Sequence, residues 1–239
     1  INKIKMNKNK SIDFVQIKNI FESISNEYDF MNDLMTLRNH SKWKKEIAEI
    51  AIASSPKRIL DIATGTGDIA INLSKIKGSK IEGVDISGNM LKIARKKIDK
   101  LKIDNIVLKT CEAENLVFED NHFDIVSIGY GVRNFSNLGK GLSESFRVLK
   151  KDGKLIILET SIPENLIVKF MYTIITSIYI PIIAFIFSGK TKAYLYLLDS
   201  TKKFPPKNKF IKMLYRTGFE KVETRKKLYG ASTIYIASK

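Results

Sequence analysis

The string Asp61-Ile62-Ala63-Thr64-Gly65-Thr66-Gly67-Asp68 carries the clearest chemistry in the chain. Glycines at 65 and 67 let the backbone pass close to a ligand with no Cβ in the way. A helix starting behind them offers free N–H groups and the positive end of its dipole. Gly65-x-Gly67-x-x-Ala70 also fits the relaxed dinucleotide fingerprint, so the glycines alone do not choose a ligand. Asp61 discriminates. At the end of the preceding strand its carboxylate would repel a pyrophosphate, whereas it suits a cationic ligand such as the sulfonium and ammonium of S-adenosylmethionine, directly or through water. Asp85 ends the next strand and is placed to accept both hydroxyls of a ribose; a helix N-cap ahead of Ser87 is the competing use. A third strand runs into Cys111-Glu112-Ala113-Glu114, where a side chain and a backbone amide could read an adenine, unless this is an ordinary strand-to-helix turn.

Positioning these residues on one edge requires parallel strands. RILDIA (58–63) reads as a buried strand and GDIAINLSKIK as the helix after it. KIEGVDI (80–86) and GNMLKIARKKIDKL repeat the pair. IVLKTC, FDIVSIGYG (123–131) and KLIILET (154–160) supply further strands, with a helix over LGKGLSESFRVLK before the last. This alternation predicts a doubly wound α/β fold with a mostly parallel sheet covered on both faces. Before it, two helical patterns cover roughly 14–35 and 41–53, and Pro56 marks a boundary. After it, KKLYGASTIYIASK reads as a hairpin turning at Gly230. Residues 1–12, rich in Lys and Asn, read as a disordered basic tail and neither a signal peptide nor core. Residues 13–239 are expected to form a single domain, with cap helices over 14–53 and an apolar helical insertion over 162–200.

Composition narrows the class. The 239 residues are 44% apolar and 28% charged, ordinary globular values that exclude disorder and collagen-like repeats. Cys111 stands alone, which excludes a disulfide framework and a cysteine-built zinc site, so no metal is expected and a reducing, cytoplasmic setting is the default. The net charge is +16, and residues 188–239 hold 13 basic and 3 acidic side chains. Such an excess suits nucleic acid, an anionic membrane surface or acidic substrates. Phe170 through Phe187 is uncharged and long enough to raise a transmembrane reading. Pro181 and the polar Tyr172, Thr173, Thr176, Ser177 and Tyr179 count against a span. A span would also set the C-terminal strands across a membrane from the sheet they complete. A buried or interfacial helix is expected.

The order DIATGTGD, VD, EAENL, FDIVSIGYGVRNF and RVLKKDGKL is similar to class I S-adenosylmethionine methyltransferases. YDFMNDLM (28–35), HSKWK (40–44) and GVRN (131–134) narrow the resemblance, over about residues 20–239, to the ubiquinone/menaquinone C-methyltransferase family. The resemblance implies a seven-stranded Rossmann-like sheet with an antiparallel C-terminal strand, S-adenosyl-L-methionine as cofactor, and cofactor contacts at Thr66, Asp85, the Glu112-Ala113 pair and Gly129. With Asp61, Gly65 and Gly67 these make the candidate cofactor set. The sequence departs from the pattern at Gly129, where relatives often carry Ser, and at Glu112, where they often carry Asn. Thr64 replaces a common Gly, and Lys151-Asp152 replaces a Pro-Gly pair.

The resemblance also implies a carbon acceptor on a polyprenylated quinol ring. Ring carbon becomes nucleophilic when an ortho or para hydroxyl loses its proton, so a base or a phenolate-stabilising group is required. His122, in the polar turn EDNHFD, reads as solvated. His40, between the N-terminal helices, could reach the pocket or simply end a helix. Arg133 could stabilise a quinol oxyanion or steer a water acting as base, and Asn134 could orient a ring oxygen; an Arg–carboxylate pair at the surface is the alternative. Tyr28 and Asp29 are expected to help close the site, while Met31, Met35 and Trp43 fit core positions. The apolar insertion could rest on anionic lipid and admit the prenyl tail, as a peripheral contact at the inner face of the membrane, or pack inside a homodimer. Three other functions compete: methylation of another lipid such as a sterol or phospholipid, nucleic-acid binding, and a nicotinamide-dependent reductase. The uncharged run and the lack of a base-reading motif disfavour nucleic acid, and Asp61 disfavours the reductase.

Overall fold

A computed structural model of the chain describes residues 14–36 and 38–239; the tail expected over 1–12 lies outside them. Three helices come first: α1 (Phe14–Ile24), α2 (Tyr28–Thr36) and α3 (Asn39–Ile52). The single helix expected over 14–35 is therefore interrupted. A 3-10 turn at Ser25–Glu27 breaks it, with the Ser25 hydroxyl donating to the Glu22 carbonyl at 3.1 Å.

The sheet follows. β1 (Arg58–Ile62), α4 (Asp68–Leu73), β2 (Lys80–Asp85), α5 (Gly88–Lys100), β3 (Ile106–Thr110) and β4 (Phe123–Gly129) build its first half. The helix α4 is shorter than expected, because Asn72 and Ser74 turn their side chains back onto carbonyls of the same helix. The second half is α6 (Leu138–Val148), β5 (Leu149–Thr160), four helices, β6 (Lys221–Lys227) and β7 (Ser232–Ser238). The strand order is β3-β2-β1-β4-β5-β7-β6. β7 runs antiparallel to both β5 and β6, and the other pairings are parallel. The order reverses beside β1, which pairs with β2 on one side and β4 on the other. Such a switch point opens a crevice at the carboxyl ends of the strands.

Alternation along the strands builds two cores. Leu60 and Ile62 of β1, Val126 and Ile128 of β4, and Leu155 and Ile157 of β5 face Leu142 of α6 and the later Phe210 and Leu214. Ile59, Ile125, Ile156 and Leu158 face the other way, against Trp43, Ile47 and Ala51 of α3 and Ile69 and Leu73 of α4. Both faces are thus covered, and the central strands are continuous apolar runs.

The four helices after β5 are α7 (Leu166–Ile174), α8 (Ile180–Phe187), α9 (Thr191–Lys203) and α10 (Lys207–Thr217). A π turn at Ile175–Tyr179 joins α7 to α8, where Pro181 lacks the N–H a regular helix would need. Leu166–Phe187 is 22 residues long with mean hydropathy 2.1, long and apolar enough by length and composition to cross a membrane. The fold leaves no room for one crossing, since β5 before it and β7 after it pair residue by residue in the same sheet. A third apolar cluster joins Ile24, Met31, Met90, Ile183, Tyr194 and Leu197, tying α1 and α2 to α5, α8 and α9 as a cap over the switch point.

Gly131 fixes how the loops after β1 and β4 meet. A Cβ there would lie 2.5 Å from the Cβ of Ala63, an atom that cannot swing away. Gly131→Ala is expected to cost about 1–3 kcal/mol of stability, read by calorimetry as a Tm lowered by several degrees.

Candidate active site

Two cavities meet at the carboxyl ends of the strands. The first is bounded by Gly65, Asp85, Ala113, Glu114, Gly129 and Asn134, and α1 lays Phe14, Ile17 and Phe21 over it, leaving about 70 Å³. Asp85 is nearly buried. Its Oδ2 accepts from the Gly65 N–H at 2.8 Å and its Oδ1 from the Ser87 N–H at 2.8 Å. A carboxylate has about four acceptor positions, so two remain for ligand hydroxyls. Ser87 is itself the N-cap of α5, its Oγ accepting from the Met90 N–H, so Asp85 is free of that duty. Burial pushes the Asp85 carboxyl up to about 6, against the hydrogen bonds from Ser87 and Gly65. At Gly129 a Cβ would fall 2.2 Å from the Cδ1 of Ile69; the isoleucine occupies the space a serine would need.

Four of the expected cofactor residues do not reach this cavity. Asp61 is fully buried beneath it, accepting at 2.6 Å from Thr64 Oγ1 and at 2.6 Å from Ser127 Oγ. Its carboxyl is pushed up to about 6 by burial, and it meets a ligand only through the loop it supports. Thr66 is turned away, its hydroxyl donating to Asp29 Oδ1 at 2.6 Å. Gly67 caps α4 with φ +84° and packs on Ala94. Glu112 is exposed, because the turn after β3 points it outward and brings Ala113 and Glu114 inward. Glu114 is already engaged, accepting from Ser136 Oγ and the Asn137 N–H.

The second cavity is larger, about 560 Å³, and mostly apolar. Its walls come from α2 and α3 (Tyr28, Met35, His40, Trp43), from the loop after β4 (Tyr130, Arg133) and from the 172–201 helices. Tyr28 and Tyr130 line both cavities. Met35 and Trp43, expected as plain core, are thus wall residues here.

Arg133 sits on this wall in a buried ion pair, not the surface pair that was its alternative. Its Nη1 donates to Glu159 Oε1 at 2.5 Å and to the Tyr130 carbonyl at 2.8 Å. Its Nε donates to Ser200 Oγ at 3.3 Å. Among the described residues Nη2 has no partner, and Arg133 lines the cavity. Burial works against the charge, and the Glu159 carboxylate more than offsets it, holding the guanidinium pKa above its usual value. Beside it, Asn134 accepts from the Tyr196 hydroxyl at 3.3 Å. Tyr130, half-buried with a left-handed φ of 56°, places its hydroxyl 3.3 Å from Ser232 Oγ; desolvation pushes its phenol pKa well up.

His40, the second residue of α3, is almost fully buried. The Thr36 hydroxyl donates its single proton to the Asn32 carbonyl at 2.7 Å. Toward His40, 2.8 Å away, it must therefore accept, which puts the imidazole proton on Nδ1 and leaves Nε2 as an acceptor, 3.4 Å from the Ser41 hydroxyl. Burial and then the charge of Lys44 pull the pKa down to about 4, so the ring is neutral at pH 7. His122 lies at the opposite end of the sheet, against Phe123. Among the described residues no group of three or more His, Cys, Asp or Glu side chains is placed to hold a metal.

Solved structures share this architecture. A methyltransferase from Thermotoga maritima, described as S-adenosylmethionine-dependent and possibly acting on histamine, aligns with TM-score 0.64 at 22% identity, covering 92% of this chain and 99% of that one. One from Methanococcus maripaludis aligns with TM-score 0.58 at 22% identity, covering 99% and 97%. The fold is that of a class I S-adenosylmethionine-dependent methyltransferase. Sequence places the protein further: it belongs to the ubiE/COQ5 methyltransferase family, whose pattern matches residues 5–239. It is 41% identical to a demethylmenaquinone methyltransferase of Chlorobaculum parvum, over 93% of this chain and 92% of that protein. It is 38% identical to the ubiquinone/menaquinone biosynthesis C-methyltransferase of Rickettsia prowazekii, over 96% of each. The protein is an S-adenosylmethionine-dependent C-methyltransferase, and its residues fit that donor: Asp85 offers free acceptor positions, and Gly65 leaves open space where a Cβ would stand.

Sequence reasoning missed Tyr130 and Tyr172 on the cavity wall, and Glu159 buried behind Arg133. Glu159 ends an apolar strand, and a lone acid there was the available signal.

With its pKa near 6, Asp85 takes up a proton as pH falls through that value and loses acceptor capacity. The Kd for S-adenosylmethionine is expected to rise about tenfold between pH 7.5 and pH 5. Asp85→Asn should bind weakly at both pH values and flatten the dependence, measured by titration calorimetry.

Proposed function

We propose that the protein methylates a ring carbon of a polyprenylated quinol, the demethylated precursor of menaquinone or its benzoquinol counterpart. The observation that carries this reading is the apolar cavity of about 560 Å³ that meets the cofactor cavity at Tyr28 and Tyr130, with Arg133 as the charged group on its wall. The names of the relatives support it. The donor, when bound, supplies a methyl already activated by its sulfonium. The protein must then align a ring carbon with it and keep the site dry.

Arg133 does most of that work. With Nη1 fixed on Glu159, Nη2 can meet the oxygen of a ring hydroxyl as it loses its proton, stabilising the oxyanion that makes the ring carbon nucleophilic. His40, neutral and with Nε2 unprotonated, accepts a hydrogen bond from a ring hydroxyl in place of the long one from Ser41. Asn134, expected to orient a ring oxygen, lines the cofactor cavity instead, with its amide held between the Tyr196 hydroxyl and the Tyr130 carbonyl; its part is to brace the loop that carries Arg133. Tyr28 and Tyr130 separate the ring from water. After transfer, the methylated carbon sheds its hydrogen as a proton, and the ring regains aromaticity.

The same cavity explains the apolar insertion. Tyr172, Ile175, Thr176, Tyr179 and Ile180 face the cavity, while Phe170, Ile178, Ile182 and Phe185 are exposed on the outer side. One helix thus walls the quinol site and presents an apolar stripe, followed by a segment strongly enriched in lysine. Such a face suits a peripheral, cytoplasmic-side contact with anionic lipid, from which a prenyl tail reaches the cavity.

Purified protein with S-adenosylmethionine should methylate a detergent-solubilised demethylated quinol. Arg133→Lys, which keeps the charge beside Glu159 but loses the fork, should lower kcat by about 10²-fold with cofactor Kd little changed. Absence of transfer to either quinol type would sink the substrate reading.

Ile178 and Ile182 are 56% and 51% exposed, so the double change Ile178→Asp and Ile182→Asp should leave folding intact. Flotation with vesicles rich in phosphatidylglycerol should show binding by the unaltered protein, release at high salt, and loss in the double variant. A loss of folding would instead mark the stripe as a buried contact, such as a dimer interface.

A further inference from the structure

We propose that Asp29 is a positioning residue coupling the two cavities, so that a filled cofactor site favours the closed quinol site; the quinol half of this rests on the reading above. Asp29 uses both carboxylate oxygens. Its Oδ1 accepts from Thr66 Oγ1 at 2.6 Å and its Oδ2 from Lys97 Nζ at 2.5 Å. Lys97 also pairs with Asp68 Oδ1 at 2.7 Å, and Lys44 pairs with Asp68 Oδ2 at 2.8 Å. Two ammoniums thus balance two carboxylates where α2, α3, α4, α5 and the glycine turn converge. The paired lysines hold the Asp68 carboxyl well below the usual range against the opposing effect of burial.

The two ends of this network explain its use. On the cofactor side, Thr66 stands between Gly65 at φ +57° and Gly67 at φ +84°. A turn flanked by two such glycines has little preference of its own, and its neighbour Gly65 is held by the Asp85 carboxylate that faces the cofactor. On the quinol side, Asp29 follows Tyr28, and α2 carries Asn32, Met35 and Thr36 on the cavity wall. A cofactor that engages Asp85 and Gly65 holds the turn in the form that donates to Asp29, and Asp29 seats α2. An unliganded turn samples other forms and releases the wall. By linkage the quinol must tighten cofactor binding by the same factor.

The test uses S-adenosylhomocysteine, which fills the cofactor site without reacting. Amide hydrogen exchange over residues 28–36 should slow about tenfold on its addition to the unaltered protein and to Thr66→Ser, which keeps the hydroxyl. Thr66→Val, which keeps the shape and loses the donor, should show little slowing at saturating ligand. The Kd for a demethylated quinol should fall about tenfold with S-adenosylhomocysteine present in the first two proteins and stay nearly level in the third. Exchange over 28–36 that ignores the ligand in the unaltered protein overturns the coupling, as does full protection in Thr66→Val. Protection as expected with no quinol binding in any protein upholds the coupling and sinks the quinol assignment instead.

Discussion

A carboxylate without an ionic partner lies under the whole site. Asp61 is shut away from water between β1 and β4, and its oxygens are answered by the hydroxyls of Ser127 and Thr64. Burying an acid this way is costly unless both oxygens are matched, so the arrangement admits few alternatives. Thr64 must stand where it does, and a Cβ at Gly83 would sit 3.2 Å from its side chain. The glycine turn, the facing Asp85 and the start of α4 are then placed by a constraint that no ligand touches.

Above this floor the protein divides its polar and apolar work. One cluster of charged pairs, made by Lys44, Lys97, Asp29 and Asp68, lies where helices meet behind the cofactor turn. The quinol cavity presents mostly apolar surface, edged by neutral polar side chains, with one guanidinium anchored from behind by Glu159. An anchored cation costs little reorganisation when charge appears on a substrate, and in a dry cavity its field is weakly screened. The chain assembles this wall from five stretches: the N-terminal helices, the loop after β4, the end of β5, the insertion before α10 and the turn between β6 and β7.

Much of this was readable from residue order. The strands β1, β2, β4 and β5 are apolar runs that no helix would use economically, and Asp85 follows from its place at the end of the second. What was not readable involves direction. Thr66 and Glu112 occupy the expected turns, yet the hydroxyl of one faces Asp29 and the other faces solvent. Spacing places a residue on a turn without saying which way its χ1 points. Trp43 and Met35 have the helical spacing of core residues because the cavity they line is itself an interior. Glu159 and Tyr130 were missed because their partners lie far away in sequence, and Tyr130 adopts a backbone conformation that no propensity suggests.

The π turn at Ile175–Tyr179 holds one residue more than a regular helix would at that place. Each residue of an α-helix advances the side chains by about 100°. The surplus residue therefore sets the azimuth of α8 relative to α7, and with it which side chains look inward and which look out. Phasing of the inner wall and of the outer stripe is one quantity, not two. A lineage that altered cavity width by inserting or deleting a residue here would also re-aim the surface that meets its surroundings, and a change in ring size or tail length would be inherited together with a change in how the protein sits against its neighbours.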